Sequence, residues 1–151
     1  MTSPFPFVAD AILAAAEMNS IGTSTAWTPS FSYGVTIGDG TVSGTYAQIN
    51  DLVVAEGNFV FGSTSAVSTF VRALLPVQGV DAFEIATGTS GLSQDTSTGD
   101  SYPLMGRTYD TAAVYLYAIN AGGTYAVGSS SQPFTWVAGD VLQWTSVYMA
   151  A

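Results

Sequence analysis

From residue 31 to the C-terminus the chain consists of short runs of Val, Thr, Tyr and Phe, broken by Gly, Asp, Asn and Ser at intervals of roughly 8–12 residues. That rhythm predicts strands and turns, because β-branched and aromatic side chains suit a pleated, half-buried surface. Runs at 31–37 and 41–49 flank Gly38-Asp39-Gly40, a tight hairpin signal. Asn50-Asp51 turns the chain into 52–61, where Val53, Ala55, Phe59 and Phe61 share one side and Gly57 marks a bulge or a close approach. Further strands are predicted at 66–75, ended by Pro76, at 82–87, and in a hairpin of 105–109 with 112–120. Residues 88–101 read as loop, 121–131 as a Gly- and Ser-rich connection, and 132–137 as a run into the turn Ala138-Gly139-Asp140. The last run, 141–149, carries large apolar groups on both of its alternating sets, which predicts cover on both sides. There is no internal repeat, although Gly-Asp turns recur at 38–39 and 139–140. The expected fold is all-β: a single β-sandwich of jelly-roll type.

The first 29 residues differ. Pro4-Phe5-Pro6-Phe7 is expected to be extended, because Pro fixes its own φ and biases the residue before it. Asp10 can cap a short helix over 11–18, stopped by Asn19 and Gly22. A helix that short is marginal in water and needs a surface on which to dock Ile12, Leu13 and Met18 together with Phe5 and Phe7. Either it folds back on its own domain or it docks on another chain. Residues 23–30 read as a connection with one aromatic anchor, Trp27. The domain division is therefore an anchoring arm with a short helix, 1–29, and a sandwich, 30–151. The N-terminus has no positive leader region and Asp10 interrupts its apolar stretch, so no signal peptide is expected. No apolar run reaches the roughly 20 residues of a membrane span.

Charge narrows the chemistry. The 151 residues hold two arginines, no lysine, eleven acids, no histidine and no cysteine. That excludes a Ser-His-Asp triad, a thiol nucleophile, His or Cys metal ligands and a P-loop. A net charge of -9 argues against nucleic acid, which is bound by neutralising phosphates with Lys and Arg. Only 9% of residues are charged against a usual quarter or so, and 35 Ser and Thr take their place. Depletion of charge on this scale points to a surface covered by copies of itself or by a partner. The two arginines, Arg72 and Arg107, are expected to pair with carboxylates across such a contact.

The remaining constellations are weak. Asp51 with Glu56 and Asp81 with Glu84 are the candidate carboxylate pairs of a glycosidase, but most acids stand at turns, where Asp bonds its own backbone. Glu56 is the exception, being mid-strand and either outward-facing or at an interface. Residues 95–100 alternate oxygen ligands like a calcium loop, yet the twelfth position is Gly106 and not Glu, so no metal and no cofactor are expected. Three Trp, eight Tyr and eight Phe could serve carbohydrate recognition, with Tyr102, Tyr109 and Tyr125 as glycan contacts, although aromatics at strand spacing are commonly core.

Several strings together carry a resemblance: Pro4-Phe-Pro-Phe7, the stretch from Leu13 to Gly22, Ala26-Trp-Thr-Pro29, Gly38-Asp-Gly-Thr-Val42, Tyr46-Ala-Gln-Ile49, the stretch from Phe59 to Val67, and the stretch from Pro133 to Leu142. Their order resembles small virion proteins of tailed bacteriophages, especially of actinobacterial hosts. The resemblance spans nearly the whole chain and its motifs are structural. It implies a short arm before one β-sandwich, and a non-enzymatic protein of the virion exterior, of the capsid-decoration or minor-tail kind. It also implies major capsid or tail proteins as partners, with neither nucleic acid nor membrane. A homotrimer would suit such an attachment. The alternative role is a receptor- or glycan-binding module of a tail or head fibre.

Overall fold

The computed structural model describes residues 22–80, 88–119, 125–127 and 130–151. The predicted helix over 11–18 and the predicted strand over 82–87 lie outside the described residues, as do Phe5, Phe7, Ile12, Leu13 and Met18.

The described chain is all-β and every strand pairing is antiparallel. The strands are β1 (Thr25–Trp27), β2 (Phe31–Thr36), β3 (Thr41–Ile49), β4 (Leu52–Val60), β5 (Ala66–Leu74), β6 (Ser90–Asp95), β7 (Asp100–Asp110), β8 (Ala113–Ile119), β9 (Tyr125–Val127) and β10 (Val141–Met149). They form one sheet in the order β1-β3-β4-β10-β6-β7-β8-β5-β2, with β9 added beside β8. The sheet therefore starts at Thr25, inside what the sequence suggested was arm. Residues 88–101, expected as loop, supply β6 and the start of β7. Their Ser, Gly and Asp have little strand preference of their own. Pairing with β10 on one side and β7 on the other imposes the extended form.

The sheet curls until its far strand faces its near ones. Phe31 of β2 lies 5.5 Å from Phe59 of β4 and 5.9 Å from Trp144 of β10, measured between ring centres. Two walls result, β1-β3-β4-β10-β6 and β7-β8-β5-β2. Alternation places Val53, Ala55 and Phe59 of β4, Val71 and Ala73 of β5, Leu116 of β8, and Leu142 and Trp144 of β10 in the space between them, all buried. A run of rings threads this core: Trp144, Phe31, Phe59, Phe61, Trp136, Phe134 and Tyr102, each neighbouring pair 4.2–5.9 Å apart.

One ribbon crosses from wall to wall. The β3–β4 hairpin is enclosed in sequence by β2 and β5, which pair with each other. Its two strands bend together at residues 37–40 and 61–65, and Asp39 joins the bends. The Asp39 carboxylate accepts the Thr64 backbone N–H at 2.7 Å, the Ser63 hydroxyl at 2.7 Å and the Thr64 hydroxyl at 2.8 Å. The second Gly-Asp turn comes to the same corner. Buried Asp140 accepts the backbone N–H groups of Val137 at 2.7 Å and Thr96 at 3.0 Å, while its carbonyl accepts the Phe61 N–H at 2.9 Å. Two recurrent turn signals far apart in the chain thus stitch one end of the curled sheet.

Hydrogen bonds from the Thr64 backbone and from the Ser63 and Thr64 hydroxyls hold the Asp39 carboxyl well below its ordinary value. A depressed folded value contributes stability that is present above the unfolded value of 3.8 and is lost as pH falls below it. The variant Asp39→Asn is expected to melt at a lower temperature than the parent at pH 7, and the two melting curves should converge as pH drops from 4 towards 2. Calorimetric melting temperatures across that range check this.

Candidate functional site

Three glycines and a tryptophan form a cross-strand row of the first wall whose side-chain positions face inward. Gly44 of β3, Gly57 of β4, Trp144 of β10 and Gly91 of β6 are register partners. On the inner side indoles cover the row. A Cβ at Gly57 would lie 2.2 Å from the Trp144 ring, and one at Gly44 would lie 2.5 Å from Nε1 of Trp27. The Trp27 indole N–H donates to the Glu56 carbonyl at 3.1 Å, so the predicted anchor is engaged within its own sheet. Aromatic cover over strand glycines restores the packing that glycine lacks.

Outside, the same row forms the floor of an open trough of about 670 Å³. Its walls are Ser43, Thr45, Glu56, Asn58, Ser90, Leu92, Gln143 and Thr145. Glu56 is exposed in mid-strand, as both of its expected placements, outward-facing or at an interface, require. The Oδ1 of Asn58 is buried and accepts no hydrogen bond. Beside the trough two apolar rows run towards the turn at residue 51: Ala47, Val54 and Val147, then Ile49, Leu52 and Met149. Ile49 (43%), Leu52 (40%) and Met149 (40%) are among the exposed large hydrophobic residues. Among the described residues, Gln143, Val147 and Met149 of the last strand's outward set are exposed, where the sequence predicted cover on both sides.

The second wall carries a different row. Tyr33 of β2, Arg72 of β5, Tyr115 of β8 and Arg107 of β7 are successive register partners on the outer face. Both cations of the chain stand in it. The Arg72 guanidinium lies 5.3 Å from the Tyr115 ring centre and 5.9 Å from that of Tyr33, and donates to the Tyr115 hydroxyl at 3.4 Å. Pairing with a carboxylate was expected across a contact with another chain; within this chain the guanidinium stands between two tyrosine rings. Phe70 packs at a tilt 5.9 Å from Tyr115, Tyr117 adjoins at 6.0 Å, and Arg107, Met105 and Tyr33 are exposed.

The other predicted site residues fall apart in space. Tyr102 ends the core ring series against Phe134 at 5.4 Å. Tyr109 and Tyr125 lie on strands, and their side chains are outside the described residues, as are Asp81 and Glu84. Asp51 and Glu56 are five residues apart on one extended segment, about 17 Å, and so do not face each other across a cleft of the 5–9.5 Å that glycoside hydrolysis uses. In the suspected calcium loop Asp95 accepts Ser97 N–H at 2.9 Å, the Ser97 hydroxyl at 2.6 Å and Thr98 N–H at 3.2 Å, which holds its carboxyl below the ordinary value. Among the described residues no three His, Cys, Asp or Glu gather as a metal site. The trough and the arginine row escaped the sequence because both are assembled across strands.

Comparison of the chain with family models, with curated proteins and with solved structures finds no match in any of the three. Chemically, the two faces offer hydroxyl, amide, carboxylate and guanidinium groups on apolar ground, a set suited to recognition.

The glycine floor supplies a direct check. Gly57→Ala forces the Trp144 ring from its seat and is expected to cost about 1–3 kcal/mol, the usual range for overpacking. Urea unfolding measures the loss, and a red shift of tryptophan emission reports the displaced indole.

Proposed function

We propose that this chain is a non-enzymatic structural protein of a phage virion exterior, a capsid-decoration or minor tail protein. In this reading the arm anchors a projecting β-sandwich of jelly-roll type. The observation that carries it is the outer surface of the two walls. Exposed apolar residues, hydroxyls and amides cover these faces, with one carboxylate in mid-sheet on the first and two arginines among tyrosines on the second. Surfaces of that kind are characteristic of contacts between proteins. The motif order resembles small virion proteins, and the nested ribbon of β2–β5 is a jelly-roll element. The arm reading is supported by the apolar residues Phe5, Phe7, Ile12, Leu13 and Met18 that precede the first strand in sequence, and Gly22 lies against the exposed apolar row, since a Cβ there would lie 3.1 Å from Ile49 Cδ1.

Deleting residues 2–21 is expected to lower the copies per particle at least tenfold, while the purified domain keeps a cooperative melting transition. Quantitative mass spectrometry of purified virions measures the first and calorimetry the second. Undiminished incorporation would remove the anchoring role.

A second reading, a glycan-binding module of a tail or head fibre, is favoured by the trough. Glu56, Asn58 and Gln143 are groups that bond sugar hydroxyls, above a floor with no side chains in the way. On this reading an array of host-wall polysaccharides gives a signal that Glu56→Gln abolishes. On the leading one the array is silent.

A further inference from the structure

We infer that the arginine–tyrosine row of one copy docks on the Glu56 trough of the next, joining copies of this chain head to tail. This deepens the proposed assembly role and rests on it. The argument begins with the acids. Of the seven described, Asp39, Asp95, Asp110 and Asp140 accept backbone N–H groups in turns. Asp51 and Asp100 stand at strand ends beside turns. Glu56 alone projects from the middle of a sheet face, and it projects into a trough.

The cations are placed on the opposite wall. Arg72 and Arg107 share one cross-strand row, so one face of the sandwich is a donor surface and the other an acceptor surface. The row offers guanidinium and phenol donors. The trough offers the Glu56 carboxylate, flanked by the Thr45, Thr145 and Ser90 hydroxyls of the same cross-strand row. Pairing the arginine row with itself would bring four guanidinium groups together, which like-charge repulsion opposes. A head-to-tail contact instead sets each arginine row against a carboxylate. Exposed apolar groups flank both partners: Met105 beside the arginines, Val54 and Val147 beside the trough. Arg and Tyr are also the residue types that most often dominate interfaces, and a guanidinium held between rings loses little freedom on binding.

The test is charge reversal with rescue, read by sedimentation velocity of the full chain from 1 to 100 µM. Arg107 and Glu56 are both exposed, so each can be changed without opening the core. The parent is expected to self-associate, less so at 0.5 M NaCl. Arg107→Glu and Glu56→Arg should each raise the dissociation constant at least tenfold, and the doubly reversed chain should return to within about threefold of the parent. Arg107→Gln and Glu56→Gln serve where a reversal fails to fold, with a weaker loss expected. Association untouched by every single variant overturns this contact and leaves the assembly role standing. Single losses without rescue overturn the pairing of these two residues. A parent that stays monomeric throughout overturns both the contact and the self-assembly it rests on.

Discussion

The Phe31 ring belongs to the last strand of the hydrogen-bonded path, yet it sits 5.5 Å from Phe59 and 5.9 Å from Trp144 near the path's beginning. A flat antiparallel sheet would leave one apolar face in water. Closing it on itself gives Phe59, Leu142, Leu116 and Val114 a common interior, all almost fully buried. One aromatic side chain of this size buries roughly 200 Å², about 5 kcal/mol of transfer free energy. The free-energy gain lies in the closure, and the remaining structure serves to permit and hold it.

Two devices do so. Glycines at 44, 57 and 91 remove side chains from a row that Trp27 and Trp144 then cover from within, so the tryptophans pack against backbone. At the corner, Asp39 and Asp140 tie residues 61–64 to the turns that precede β3 and β10. On the other side of the same strands, two outward rows, Ser43-Asn58-Gln143-Leu92 and Thr45-Glu56-Thr145-Ser90, flank the trough.

Strand positions were legible where β-branched and aromatic residues alternate, as in 41–49, 52–60 and 141–149. They were illegible at 88–101, where Ser, Thr, Gly and Asp form β6 and the start of β7 only because partners stand on both sides. The Gly-Asp turns announced themselves, but the hairpin expected at 38–40 is not one: β2 pairs with β5 and β3 with β4, so this turn links two strands that are not paired with each other, and it meets the second Gly-Asp turn at one corner. Aromatic richness signalled both core and ligand contact, and Tyr102 shows the difficulty: its neighbour Phe134, 32 residues away in sequence, makes it the end of a packed series. The arginine row is the plainest case. Arg72 and Arg107 are 35 positions apart and acquire a common role through Tyr115, which is register partner to both.

Net charge and available charge are different quantities in this chain. The formal value is -9, but four of the seven described acids direct their carboxylates at backbone N–H groups inside turns. Those charges act locally, as caps, and contribute at a distance only a diffuse negative field that keeps separate molecules apart and soluble. The faces themselves are nearly neutral, so two molecules that meet face to face desolvate hydroxyls, amides and apolar groups at small electrostatic cost. A chain built this way repels at long range and accepts contact at short range. In the proposed head-to-tail contact, two cations and one carboxylate on opposite walls would be enough to set orientation, because among the described residues little other charge stands on those faces.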